Sequence, residues 1–264
     1  MIIHLDPVLV TLGPLILTWH GLFSAIGVAI GVYLAGHFAK NSGIDEDDYY
    51  TAALWTILGG AVGARTLFVL ENWSYFATSP MKMLAINEGG ISIYGAVLGG
   101  TLTALLIARR MKLHIPTLAD SAAAPVILGQ GIGRIGDIIN GEHHGMATDL
   151  PFGVVYTHPN TLGEIGANVH LAVGYEMLYD FAVFGILLYL RGKLPRQGML
   201  YLLYLFLYSL GRLWVGFFRK DTDVLLGLGM AQVIAVIIML VTAAWLVRWS
   251  QRSQRPTRAA RRAR

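Results

Sequence analysis

The chain has no cysteine among its 264 residues and carries little charge. The missing cysteine excludes disulfides, thiolate-bound zinc, haem attached through C-x-x-C-H and a cysteine nucleophile. Any covalent chemistry must use another residue, or the nucleophile must arrive with the substrate. Charged residues make up 14% of the chain, against roughly 25% in soluble globular proteins. With 55% hydrophobic residues and a mean hydropathy of +0.57, the composition predicts a polytopic membrane protein.

Seven mainly apolar segments are each long enough to cross a bilayer as a helix, since about 20 such residues span its hydrocarbon core. The expected fold is therefore all-α, with about seven transmembrane helices and a small head on the outer face. A single transmembrane domain is expected over residues 1–248, followed by a basic cytoplasmic tail over residues 249–264. The predicted spans cover about 16–38, 49–70, 91–109, 117–138, 171–190, 198–216 and 226–248.

Lysine and arginine set the expected orientation. Seven spans put the termini on opposite sides. With the C-terminus inside, inner segments hold 14 of the 20 basic residues and outer segments hold 3. The expected topology is N-out and C-in, which places the long connections 71–90 and 139–170 on the outer face. Seven arginines crowd the last 17 positions, where we expect them to anchor the tail on anionic headgroups rather than to bind nucleic acid.

The first apolar stretch is not expected to be a cleaved signal peptide. The first seven residues contain no Lys or Arg, the apolar run from residue 8 to residue 38 is too long, and no small-residue cleavage site precedes a polar segment. We therefore expect the N-terminal residues to be retained on the outer side.

Glycines recur at small-x-x-x-small spacing on the first four predicted spans. Such pairs let helix backbones approach closely, so we interpret them as packing surfaces rather than as sites. The pairs are Gly27/Gly31, Gly59/Gly63, Gly95/Gly99 and Gly129/Gly133.

A dense polar cluster closes the fourth span, where residues 131–145 read G-I-G-R-I-G-D-I-I-N-G-E-H-H-G. Polar groups this close to a hydrocarbon phase need a functional reason. Arg134 and Asp137 share a helix face at i, i+3 and can pair, while Gly141 and Gly145 are expected to end the helix and turn the chain. The polar side chains are Arg134, Asp137, Asn140, Glu142, His143 and His144.

Three arginines, Arg65, Arg134 and Arg212, lie near the outer halves of three predicted spans. The fork of donors on a guanidinium matches phosphate oxygens, so this grouping predicts an anion site. Structural alternatives stay open, since Arg65 can snorkel to the interface or pair with a carboxylate such as Glu71. Glu176 can likewise serve only to balance the charge of one arginine.

Histidines and tyrosines at the span ends allow two interpretations. His20 and Tyr94 can contribute chemistry, although a lone His or Tyr at this depth is more often an interfacial anchor. His143 and His144 beside Glu142 suggest zinc, but adjacent histidines lack the i, i+4 geometry of a helical zinc motif. We therefore expect no metal site.

Residues 133–145 closely resemble the signature G-R-x-G-N-F-x-N-G-E-x-x-G of the bacterial prolipoprotein diacylglyceryl transferases. Other segments resemble that family's motifs in the same order and over essentially the full chain. Residues 19–22 resemble W-Y-G-L, residues 63–65 resemble G-x-R, and residues 89–95 resemble G-G-x-x-x-H-G. Residues 170–176 resemble H-P-x-Q-L-Y-E, residues 208–219 resemble Y-x-x-x-R-x-x-x-E-F-x-R, and residues 229–232 resemble the opening of the last helix.

The resemblance implies a transferase in the bacterial inner membrane with its active site toward the outer face. Its substrates would be phosphatidylglycerol and the lipobox cysteine of a preprolipoprotein signal peptide. The cysteine thiol would receive the diacylglyceryl group as a thioether, with release of glycerol phosphate. Membrane lipids would be further partners, and no cofactor is implied. The lack of cysteine in this chain agrees with this reaction, because the sulfur belongs to the substrate.

The resemblance also implies roles for individual residues. Arg134 and Arg212 would hold the phosphate with support from Arg65 and Arg219, and Glu176 with Tyr175 would orient the arginines. The implied catalytic residues are His20, Tyr94, Arg134 and Arg212. The implied substrate-binding residues are Arg65, Asp137, Asn140, Glu142, Gly145, Tyr175, Glu176, Tyr208 and Arg219.

Three departures from the family motifs bear on this assignment. His20 and Tyr94 stand where the family often has Tyr and His, so we hypothesise that they have exchanged places across one cavity. Asp137 replaces an Asn, and Gly216 stands where many members have a Glu. Two alternatives therefore stay open: a family member that is inactive or uses another acceptor, and an anion transporter.

Overall fold

The computed structural model describes residues 1–13, 15–85, 89–143 and 145–253, and within these ranges it is mostly helical. Predicted features at His144 and in the tail beyond residue 253 lie outside the described residues. A 3₁₀ helix covers Pro80–Leu84. The α-helices are α1 (Trp19–Lys40), α2 (Glu46–Glu71), α3 (Trp73–Thr78), α4 (Ile93–Arg110), α5 (Ile115–Asn140), α6 (Ala172–Leu190), α7 (Met199–Gly216) and α8 (Met230–Ser253). The strands are β1 (Ile2–Ile3), β2 (Val8–Leu12), β3 (Leu15–Thr18), β4 (Val154–Tyr156), β5 (Asn168–Val169), β6 (Asp223–Leu225) and β7 (Leu228–Gly229).

A long helix occupies most of each predicted span, while the crossing of the membrane by all seven stays a prediction. Among the described residues, five of these helices, α1, α2, α6, α7 and α8, are long and apolar enough to cross a membrane. The chain is therefore a multi-pass membrane protein. Asp45 caps α2, because its side chain accepts hydrogen bonds from the backbone N–H groups of Asp47 and Asp48.

The expected all-α class misses the short strands. β1, β4 and β5 form a three-stranded sheet, and β2 with β3 and β6 with β7 form two hairpins. The first hairpin is built from V-L-V-T-L and L-I-L-T, in which the β-branched Val, Ile and Thr residues favour strands. Because these strands are also apolar, hydropathy alone merges them with the helix that follows.

The chain divides into two compact units, one formed by residues 1–35 and 119–264 and the other by residues 36–118. Glycines allow close helix packing inside each unit, as the spacing predicts. In the first unit, a Cβ at Gly27 on α1 would stand 2.5 Å from the carbonyl oxygen of Gly129 on α5. In the second unit, a Cβ at Gly63 on α2 would stand 2.8 Å from the Cα of Gly99 on α4.

Candidate active site

The site in the first unit begins where α5 ends. The backbone N–H groups of Gly141 and Glu142 both donate to the carbonyl of Asp137, at 2.9 and 3.0 Å. Gly141 adopts a φ of 76°, the left-handed conformation in which glycine commonly closes a helix. The predicted end of the helix is thus confirmed, and the last turn of α5 presents its polar side chains beside this closing turn.

Arg134 bridges two helices through two buried carboxylates. Its Nη1 donates to Asp137 Oδ2 at 2.6 Å on α5, and its Nη2 donates to Glu176 Oε1 at 2.7 Å on α6. Both carboxylate side chains are only 2% exposed. Two charge-assisted bonds from one planar guanidinium fix its orientation, so Arg134 is held rigidly between α5 and α6.

The second oxygen of Glu176 is shared by two further arginines. Arg212 Nη1 lies 3.6 Å from Glu176 Oε2, and Arg219 Nη1 lies 3.7 Å from the same atom. These distances are too long for hydrogen bonds. Within the described part of the chain, Arg212 Nη1 and Arg219 Nε are buried without a hydrogen-bond partner. Three guanidiniums thus converge on one carboxylate. Arg219 Nε also lies 3.5 Å from Asp221 Oδ2, whereas Arg212 Nη1 is left to donate to an anion.

Arg219 follows α7 and is positioned by backbone pairing. Gly145 and Arg219 form an antiparallel bridge, next to a 2.9 Å hydrogen bond from Met146 N–H to the Phe218 carbonyl. A Cβ at Gly145 would collide with the backbone carbonyl of His170. The last glycine of the signature therefore lets the backbone at position 145 pass close to residue 170. Burial, and then the charge of Arg212, lower the pKa of Arg219.

His20 contacts the same carboxylate as Arg134. Its Nδ1 hydrogen bonds to Asp137 Oδ1 and lies 3.6 Å from Glu142 Oε2. Gly136 allows this contact, because a Cβ there would stand 2.5 Å from the His20 Cα. Two departures from the family motifs, at positions 20 and 137, are therefore in direct contact. His20 and Tyr94 belong to different compact units, and their exchange across one cavity stays a prediction.

Three side chains have the spacing of metal ligands. One ligand atom each from His20, Asp137 and Glu142 lies within 4.8 Å of the others. The same Asp137 also binds Arg134, and Glu142 Oε1 accepts a 2.9 Å hydrogen bond from Asn140 Nδ2. Both carboxylates are thus already engaged by donors of this chain, and a guanidinium beside Asp137 opposes a second cation by charge repulsion.

His143 lies next to this cluster, with Nε2 3.8 Å from Asp137 Oδ2. Burial, and then the charges of Arg219 and Arg134, lower the pKa of His143 to about 4. Its ring is therefore neutral at pH 7 and adds no charge to the anion site.

The other predicted residues of this unit are two tyrosines, one on α6 and one on α7. Tyr175 Oη is 3.2 Å from His170 Nδ1, and Tyr208 stacks on Tyr204 with ring centroids 6.1 Å apart. Sequence reasoning missed Asp180, a carboxyl 1% exposed on α6 whose oxygens have no hydrogen-bond partner among the described residues. Its spacing of four from Glu176, inside an apolar span, was the available signal.

Packing against α8 explains why position 216 is a glycine. A Cβ at Gly216 would stand about 2.5 Å from the carboxamide carbon of Gln232 on α8. Gln232 Nε2 donates to the Leu213 carbonyl at 3.2 Å, and its Oε1 accepts from Gly229 N–H at 3.0 Å. The amide of Gln232 thus fills the space beside α7 where many family members carry a glutamate.

Arg65 lies in the second unit, where its side chain binds the backbone of the connection between α2 and α4. Its guanidinium donates to five backbone carbonyls at 2.7–3.2 Å, and it also lies over the rings of Phe68 and Phe76. Its role in phosphate binding stays a prediction, since a phosphate would have to compete with these carbonyls. The five accepting residues are Lys82, Met83, Ala85, Gly89 and Gly90.

We expect Arg65→Lys to open this connection. One ammonium cannot replace a fork that reaches five carbonyls, and each lost bond to a charged donor costs about 1.5–3 kcal/mol. Trypsin should cut after Lys82, which is exposed, about tenfold faster than in the wild type. Arg110→Lys, a change at the exposed end of α4, is the control. Lost transfer activity with unchanged cleavage would instead favour the phosphate role.

Comparison with known proteins agrees with the motifs. A family model described as prolipoprotein diacylglyceryl transferase matches residues 7–248. Relatives named phosphatidylglycerol-prolipoprotein diacylglyceryl transferase include one from Trichormus variabilis, 38% identical over 91% of this chain and 89% of its own. A relative from Clostridioides difficile is 35% identical over 88% and 91% of the two chains. One from Dehalococcoides mccartyi is 33% identical over 97% of both.

Proposed function

The chain belongs to the prolipoprotein diacylglyceryl transferase family, and from this premise we propose how its site performs the first step of lipoprotein maturation. The enzyme transfers the diacylglyceryl group of phosphatidylglycerol to the thiol of a lipobox cysteine. A thioether forms, and glycerol phosphate leaves. The thiol comes from the preprolipoprotein, since this chain has no cysteine.

The pair Arg212 and Arg219 carries this proposal. Their side chains are 15% and 6% exposed, and both stand beyond hydrogen-bond distance from the one Glu176 oxygen they share. Burying guanidinium donors without hydrogen-bond acceptors costs free energy, unless an anion accepts their hydrogen bonds. The lipid phosphate supplies oxygens whose geometry matches these donors. As glycerol phosphate leaves, the same donors stabilise the negative charge that develops on it.

We assign the residues of the site to three roles: binding of the phosphate, activation of the thiol and support of these groups. Arg134 and Arg212 act on the phosphate as catalytic residues, with Arg219 beside them, and His20 is the candidate for the thiol side. The roles of Arg65 as a further phosphate contact and of Tyr94 as a second catalytic residue stay predictions that come from the resemblance. Glu176 and Asp137 hold the arginines in place. Asn140, Glu142 and Gly145 shape the wall of the site, with Tyr175 and Tyr208 beside it.

The proposed placement in the membrane follows the basic residues. Seven spans, with the N-terminus out and the C-terminus in, put the site at the outer face of the bacterial inner membrane. Residues 1–248 then form one catalytic domain, and residues 249–264 form the cytoplasmic tail. A lipid can enter this site sideways between helices, and the signal peptide presents its cysteine from the same membrane.

The test is transfer of labelled diacylglycerol from phosphatidylglycerol to a lipobox peptide by the purified protein in detergent. We expect product with the Cys peptide and none with a peptide that carries Ser instead, because the weakly acidic hydroxyl is a poor nucleophile. Phosphatidylethanolamine serves as the donor control. A folded protein that gives no product would favour the inactive or altered-acceptor alternative, and anion flux through proteoliposomes would favour the transporter.

A further inference from the structure

We propose that His20 and Asp137 form a base dyad, in which His20 Nε2 takes the proton from the lipobox thiol and Asp137 is the positioning residue. The inference rests on the proposed transferase function and names the group that activates its nucleophile. It uses two residues at which this chain departs from the family motifs and which the fold brings into contact.

The hydrogen bonds at Asp137 fix the tautomer of the imidazole. Asp137 Oδ2 accepts from Arg134 at 2.6 Å, as an ionised carboxylate does. Its Oδ1 therefore accepts from His20 as well, which requires that Nδ1 carry the ring proton. In the neutral ring, the other nitrogen, Nε2, then presents its lone pair. Carboxylates orient catalytic histidines in this way in Ser-His-Asp triads.

The burial of the two partners suits their roles. The Asp137 side chain is 2% exposed, whereas that of His20 is 41% exposed. The carboxylate is thus held in place inside the protein, while the imidazole is accessible to a substrate. Gly136 keeps the start of α1 against α5, so the backbone of both elements sets the ring position. The charged groups that face the ring are the carboxylates of Asp137 and Glu142 and the guanidinium of Arg134.

The proposed step transfers one proton and exchanges one bond at the glyceryl carbon. The thiol proton passes from sulfur to His20 Nε2, and the thiolate attacks the glyceryl carbon that bears the phosphate ester. A C–S bond forms as the C–O bond breaks, and glycerol phosphate leaves with the electron pair. The proton on His20 then passes to solvent or to the released phosphate, which restores the base.

The test compares a Cys lipobox peptide with one that carries selenocysteine, whose selenol is already ionised at neutral pH. For His20→Gln we expect kcat/KM to fall about 10²–10⁴-fold with the Cys peptide, but less than tenfold with the selenocysteine peptide. A variant equally impaired on both peptides would overturn the dyad, provided that its melting temperature matches that of the wild type. A wild type inactive on both peptides would overturn the proposed function and the dyad with it.

The role of Asp137 is tested by the pH profile of kcat/KM with the Cys peptide. We expect the wild type to show an acidic limb, from protonation of His20. That limb should be absent in His20→Gln and displaced along the pH axis in Asp137→Asn, while Asp137→Glu should return toward the wild-type profile. A purely structural role would scale the profile without moving it. Activity lost to a chelator and restored by zinc would overturn the dyad in favour of a metal bound by the same residues.

Discussion

Replacing Arg134 with lysine is expected to lower kcat/KM for diacylglyceryl transfer by about 10³-fold, nearly as much as replacement with alanine. One guanidinium bonds to Asp137 and Glu176 at the same time, at 2.6 and 2.7 Å. Lysine keeps the charge but offers a single nitrogen, which cannot hold both carboxylates in that planar geometry. The released carboxylates then compete with the phosphate for the remaining arginines.

The measurement is steady-state transfer from phosphatidylglycerol to the lipobox peptide, with the melting temperature followed in parallel. Arg110→Lys serves as the matched control, because Arg110 is exposed at the end of α4, and we expect it to keep wild-type activity. If Arg134→Lys transferred at more than a tenth of the wild-type rate, the bidentate bridge would not be required for the reaction.

The helices were largely predictable from the sequence, whereas the short strands were not. Each apolar segment of about 20 residues became one long helix, because a bilayer leaves the backbone few other solutions. The end of α5 at Asn140 followed from Gly141, whose left-handed conformation closes the helix. The hairpin of β2 and β3 was hidden because its residues are as apolar as the helix beside it.

Within the site, local spacing predicted the pair of Arg134 and Asp137, since i, i+3 residues share a face whatever the tertiary structure. The other contacts join residues far apart in the chain. Glu176 meets Arg134, Arg212 and Arg219 from α6, and His20 meets Asp137 across 117 positions. No periodicity encodes such contacts; only the packing of α1, α6 and α7 around α5 creates them.

Removal of the Glu176 charge is expected to have the second large effect, a loss of thermal stability. Glu176→Gln should lower the melting temperature by about 10 °C, because the loss of one partner from a buried ion cluster costs about 3–5 kcal/mol. Glutamine keeps the size of the side chain but removes the charge that three guanidiniums share. Glu164→Gln is the control. Glu164 and its partner Lys220 are 52% and 64% exposed, and such surface pairs contribute about 0–1 kcal/mol.

An anion should then distinguish a functional cluster from a merely structural one. If the three arginines form the phosphate site, glycerol phosphate or inorganic phosphate can replace the missing carboxylate charge. The melting temperature of Glu176→Gln should therefore rise with phosphate concentration more steeply than that of the wild type, by the linkage that couples binding to stability. Chloride at equal ionic strength controls for screening. An equal rise in both proteins would contradict the prediction that phosphate replaces the Glu176 charge, and no rise in either protein would mean that anions do not reach the space between Arg212 and Arg219.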